Sequence, residues 1–154
     1  MVDIPTATSI VTTVSIIIGV IFTILEIRHL TRVRRTDVIM KIYDKFGTKE
    51  VLEAVNNVGG AQFVSLEEYR KKYGFTDITM VAVLFEEVGV LLQQNLIDIK
   101  MVDRLLGPTL NLLWDRMRPV LFAMREGLNE PFFFSHYEYL VKRLDLYRKK
   151  TARP

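Results

Sequence analysis

Polar and apolar positions divide this chain at once. Ile4 to Leu25 carries no charged side chain, and Arg28, Arg32, Arg34 and Arg35 follow immediately. Those roughly 22 residues, as a helix rising ~1.5 Å per residue, reach about 33 Å. A bilayer's hydrocarbon core is about 30 Å thick, so the pattern predicts one transmembrane helix. Thr6, Thr8, Ser9, Thr12, Thr13, Ser15, Gly19 and Thr23 interrupt the Ile, Val, Phe and Leu positions. Their hydroxyls are tolerated in lipid because Ser and Thr bond back to the preceding turn. A buried core helix of a soluble domain rarely runs so far without a charge. A cleaved signal needs basic residues before the run and a small-residue site after it. The flanks Met1-Val2-Asp3 and Glu26-Ile27-Arg28-His29-Leu30 supply neither.

Beyond the anchor the spacing of apolar residues is helical throughout, with no convincing alternation of period two. Val38, Ile39, Ile42, Tyr43 and Phe46 extend the first helix, from about Thr6 to Phe46, as far as Gly47. Thr48 starts a short helix through Asn57, ended by Gly59-Gly60. Ser65-Leu66-Glu67-Glu68 is a capping box opening a helix to Lys72, with Gly74 closing it. Thr76-Asp77 starts the most apolar segment, Ile78 to Leu96. Its polar positions Thr79, Glu86, Glu87, Gln93 and Gln94 recur at steps of seven, one narrow stripe on a helix central to a bundle. An acid at a bilayer centre costs roughly 2.5 kcal/mol or more, so Glu86-Glu87 argues against a second span. Asp98 caps a short helix to Leu106, and Gly107-Pro108 is expected to end it and start the next. That next helix runs to about Gly127, with a kink expected where Pro119 cannot donate to the carbonyl of Asp115. Pro131 is expected to open the last helix, carrying Phe132, Phe133, Tyr137, Leu140, Val141, Leu144 and Tyr147.

The fold class is therefore all-α. A transmembrane anchor covers 1–27, a basic juxtamembrane helical stalk 28–47, a compact bundle of five to seven helices 48–150, and a tail 151–154.

Charge adds an orientation. The chain has 21 Lys and Arg against 18 Asp and Glu, and every basic residue lies beyond Leu25. By the positive-inside rule the N-terminus lies outside and the bundle is cytoplasmic, at the cell (inner) membrane. Arg28, Arg32, Arg34 and Arg35 read as headgroup contacts, about 1 kcal/mol each at an anionic leaflet. A second cluster comprises Lys142, Arg143, Arg148, Lys149, Lys150 and Arg153. Lacking a groove-reading helix and interleaved aromatics, it reads as a basic helix ending suited to the macrodipole, in preference to a nucleic-acid surface. Within the anchor, Thr8, Thr12, Ser15, Gly19 and Thr23 form one stripe of small residues, the pattern of a self-associating helix. The absence of cysteine excludes disulfide and thiol chemistry and accords with a reducing cytoplasm.

Candidate chemistry is sparse. His29 sits among headgroup-level arginines, and His136 has no His or Cys at ligand spacing, so no metal or other cofactor is expected. Glu86-Glu87 resembles an acid–base or metal pair, but di-iron bundles draw Glu-x-x-His from two helices and this chain has none. The residues favour one glutamate in solvent and the other paired with Arg118 or Arg125, within a polar cluster of Glu86, Glu87, Trp114, Arg118 and Arg125. Trp114 shares a helical face with Met117, Leu121 and Met124, which points to core packing ahead of base stacking. No phosphate loop, dinucleotide fingerprint or nucleophile elbow is present. The expected function is non-enzymatic: a scaffold or interaction module contacting membrane lipid and an unidentified protein. Alternatives are a tethered sensor binding a small ligand near Glu86, Trp114 and Arg118, and a nucleic-acid binder acting through the basic C-terminus.

The order of parts resembles a family. One span and a basic stalk precede Phe85-Glu86-Glu87-Val88-Gly89-Val90-Leu91-Leu92, then Leu96-Ile97-Asp98, Leu113-Trp114, Pro119, Arg125 and an aromatic last helix. This is similar to the small prokaryotic membrane-anchored proteins grouped as domain of unknown function 4760. The resemblance implies an architecture and no substrate. It maps Glu86, Trp114 and Arg125 onto the recurrent pattern, in structural roles.

Overall fold

The computed structural model describes residues 3–62 and 65–151, and every regular element among them is an α-helix. These are α1 (Ile4–Phe46), α2 (Lys49–Gly60), α3 (Leu66–Tyr73), α4 (Thr76–Gln93), α5 (Ile99–Leu128) and α6 (Ser135–Thr151). The chain divides into two compact units, Met1–Asp37 and Val38–Pro154.

The first unit is helix α1 up to Asp37. It is long and apolar enough to cross a membrane, and none of its apolar window is buried. Val11, Ile16, Ile17, Ile18, Val20, Ile21, Phe22, Ile24 and Leu25 are all exposed. A core helix of a soluble domain would bury such side chains.

The second unit begins earlier than the expected boundary at residue 48. Ile39 and Ile42 are buried, and Val38 and Phe46 are half-buried against the core. The last turns of α1 carry an apolar stripe and so belong to the bundle, leaving only the basic part of the stalk outside it. Helix α4 is central, as its near-continuous apolar surface requires. Val81, Ala82, Phe85 and Val88 are wholly buried, and α4 packs along α6 and α2. Phe85 stacks on Tyr137 at 4.9 Å between centroids, and Trp114 meets the same Tyr137 edge-on at 4.9 Å. Phe46 reaches Phe85 at 6.1 Å.

Local signals place several boundaries. Ser65 Oγ accepts from Glu68 N at 3.2 Å, and Gly74 ends α3 at φ +71°. Asp98 Oδ1 accepts from Lys100 N at 2.7 Å and caps α5. Asn129, left-handed at φ 56°, closes α5 as Asn tolerates. Helix α4 stops at Gln93, short of Leu96, through a turn with Asn95 at φ 58°.

Two further expectations fail. Gly107-Pro108 does not separate two helices, because α5 runs unbroken from Ile99 to Leu128 through both prolines. Gly107 is buried, and a Cβ there would collide with Arg148 Nη2 and Asp103 Oδ1. The glycine leaves room for the Arg148–Asp103 ion pair, and burial of Leu106, Leu110 and Leu113 on one face holds the helix across the proline. Pro131 does not open α6 either. Residues 131–134 form a turn, Phe134 sits at φ 56° with its ring buried, and the helix starts at Ser135.

Candidate functional site

The start of α6 explains where the acids of α4 go. A helix leaves its first amides without intrahelical acceptors, and a Ser, Thr, Asp or Asn before it normally supplies one. Here Phe134 precedes Ser135 and has no side-chain acceptor. Glu86, halfway along α4, fills that role from another helix. Its Oε1 accepts from His136 N at 3.2 Å and its Oε2 from Tyr137 N at 2.7 Å. His136 Nδ1 lies 2.8 Å from Oε1, so a proton on that nitrogen donates a third bond. The negative carboxylate also suits the positive end of the α6 dipole. Next to it, Gly89 brings the two backbones together: a Cβ there would overlap the His136 carbonyl.

Arg125 of α5 holds the same segment by its opposite polarity. Its Nε donates to Phe133 O at 2.7 Å and its Nη2 to Phe134 O at 3.2 Å. Nη1 pairs with Glu138 at 2.9 Å, and the guanidinium lies 4.7 Å from the Phe122 ring centroid. Lys142, first, and Arg125 together hold the Glu138 carboxyl below its ordinary range, against a smaller upward push from burial. Burial, with Asp115 adding to it, pushes the Tyr137 hydroxyl well above its ordinary value. That hydroxyl donates to Leu110 O at 3.2 Å. The result is a clasp in which a carboxylate holds amides and a guanidinium holds carbonyls of residues 133–137. With both oxygens of Glu86 accepting from the start of α6, its arrangement is suited to fixing that helix.

The family is settled by comparison. A family model described as Domain of unknown function (DUF4760) matches residues 13–144. The chain belongs to this family. No curated protein and no solved structure matches it. In this DUF4760 member the matched stretch contains the whole clasp, whereas Thr8, Thr12 and the last basic residues of α6 lie outside it.

The five residues expected to form one buried polar cluster divide three ways. Glu86 and Arg125 form the clasp without touching each other's charge as a pair, which corrects the expected Glu–Arg bridge. Glu87 is exposed and pairs with Lys45 at 2.8 Å, and Arg118 is also exposed. Trp114 is buried against Tyr137 and Phe122, so it serves the core. Sequence reasoning assigned no part in this site to Gly89, His136 or Glu138. A glycine inside an apolar helix is a usable signal, since it costs about 1 kcal/mol against alanine unless something approaches closely.

On α1, Arg28, Arg32, Arg34 and Arg35 are all exposed, as is His29. Thr8, Thr12, Ser15 and Thr23 donate to carbonyls four residues back at 2.8–3.0 Å. Their protons are thereby satisfied within the helix, and their oxygens remain on its surface. Gly19 has nothing within 4 Å of an added Cβ. Thr6 side-chain placement and the C-terminal Arg153 lie outside the described residues. Among the described residues, no three His, Asp or Glu side chains gather as a metal centre would require.

Proposed function

We propose that this DUF4760 member is a single-pass, non-enzymatic interaction module at the inner face of the cell membrane, with its N-terminus outside. The supporting observation is the exposed apolar stretch of α1 from Val11 to Leu25, followed directly by exposed Arg28, Arg32, Arg34 and Arg35. Water is a poor solvent for that surface; at about 25 cal/mol per Å² of apolar area, a bilayer is a far better one. The arginines then meet anionic headgroups. The clasp keeps α6 docked, so the bundle presents a fixed surface to a protein partner. Its partners are membrane lipid, an unidentified protein, and a second copy of the anchor through Thr8, Thr12, Ser15, Gly19 and Thr23. Nucleic acid is not among them.

In-cell photocrosslinking from exposed bundle positions, followed by mass spectrometry of the membrane fraction, tests this reading. A reproducible second protein is expected. A self-crosslink through the anchor is expected to disappear in Gly19→Leu, a change the isolated helix accommodates freely. Bundle positions that capture only lipid or nothing would contradict the module reading.

A further inference from the structure

Away from the clasp, α6 turns a second surface outward. Lys142, Arg143, Leu146, Lys149 and Lys150 recur at helical spacing on one face, and all are exposed, Leu146 at 52 %. The opposite face is buried through Tyr137, Leu140, Val141 and Leu144. The acids of α6 are used elsewhere. Glu138 reaches Arg125, and also Lys142 at 2.6 Å; Asp145 accepts from Asn111 Nδ2 at 3.0 Å. Arg148, turned away from the outer face, pairs with Asp103 at 2.6 Å. Among the described residues, Arg143, Lys149 and Lys150 have no carboxylate in pairing range. The helix thus presents an outward face that is basic around a leucine, with Lys142 paired to Glu138 and, among the described residues, Arg143, Lys149 and Lys150 left without a carboxylate.

We propose that this outward face of α6 rests on anionic lipid headgroups, a membrane contact separate from α1. Lysine and arginine stems carry their charge to the phosphate level while an apolar residue between them enters the boundary, the pattern of an interfacial helix. Duplex nucleic acid fits less well, because α6 is packed lengthwise in the bundle and offers an exposed leucine where a phosphate contact would want a cation. The proposal rests on reading α1 as a bilayer anchor. Tethering raises the local lipid concentration enough for a weak electrostatic contact to persist, and anionic lipid is enriched on the cytoplasmic leaflet.

The test uses the full chain, which has no cysteine of its own. Leu146→Cys carrying an apolar nitroxide is reconstituted into vesicles of phosphatidylcholine alone, or with about a third phosphatidylserine. With phosphatidylserine, collisions of the label with a water-soluble relaxant are expected to fall several-fold. The protection is expected to vanish at about 0.5 M salt and when Lys142, Arg143, Lys149 and Lys150 are all changed to Gln. Because salt alters no residue, that arm stands even if the fourfold variant folds poorly. Protein that floats with both vesicle types while the label stays equally water-exposed overturns the α6 proposal alone. Protein that floats with neither overturns the anchor reading and this proposal with it. Salt-sensitive duplex binding by the vesicle-bound protein, with the label still in water, would overturn it in favour of nucleic acid.

Discussion

Gly89→Ala is expected to destabilise the bundle by about 3 kcal/mol, the upper end for overpacking, or roughly 10 °C in melting temperature. The added methyl would overlap backbone atoms of His136, and a backbone cannot rotate aside as a flexible side chain does. Relief requires α6 to move away from α4, which also lengthens the bonds from Glu86 to the His136 and Tyr137 amides. Thermal melting of the full chain in detergent, followed by helical circular dichroism, measures this. Gly59→Ala is the control. Gly59 lies inside α2 with nothing within 4 Å of a Cβ, so alanine there should stabilise by roughly 0.5–1 kcal/mol. Equal behaviour of the two variants would mean that α4 and α6 do not approach as closely as described.

Glu86→Ala is expected to cost about 3 kcal/mol, because it removes charge-assisted bonds and leaves two amides at the start of α6 without acceptors. Glu86→Gln should fall between, since its amide offers one oxygen to the donors that the carboxylate serves with two. The adjacent Glu87→Ala should cost about 0.5 kcal/mol, as expected for an exposed ion pair, here the one with Lys45. Melting gives the totals, and hydrogen exchange locates the loss: the His136 and Tyr137 amides should exchange faster in Glu86→Ala and unchanged in Glu87→Ala. The double variant with Gly89→Ala should lose less than the sum, since both act on one seam. Equal costs for Glu86→Ala and Glu87→Ala would mean that Glu86 does not hold the start of α6.

Local chemistry made much of this fold legible. The extent of α1, the Ser65 and Asp98 caps, the Gly74 stop and the central role of α4 are each signalled within a few residues. The failures share a cause: they depend on a partner distant in sequence. Gly107-Pro108 has the composition of a break, yet the glycine answers to Arg148 and Asp103. Pro131 resembles a helix start, but residues 131–134 form a turn with Phe134 left-handed, its ring buried and its carbonyl held by Arg125. Glu86 and Arg125 were recognisable as groups in need of partners. That each would hold the backbone of one segment, not the other's charge, follows from the uncapped start of α6. Likewise, the apolar stripe from Val38 to Phe46 was visible in the spacing, but its burial marks it as part of the bundle and not of a free stalk.

In the proposed arrangement α1 crosses a membrane and leaves the bundle inside. Single cysteines at Asp3 and Lys150, in a chain otherwise free of cysteine, allow a direct test with a membrane-impermeant maleimide on intact cells. Asp3→Cys is expected to be labelled from outside and Lys150→Cys only after the cells are opened, with the protein retained in membranes through alkaline carbonate washing. Release into the supernatant as a soluble, monodisperse protein without detergent, or labelling of Lys150→Cys from outside, would contradict it.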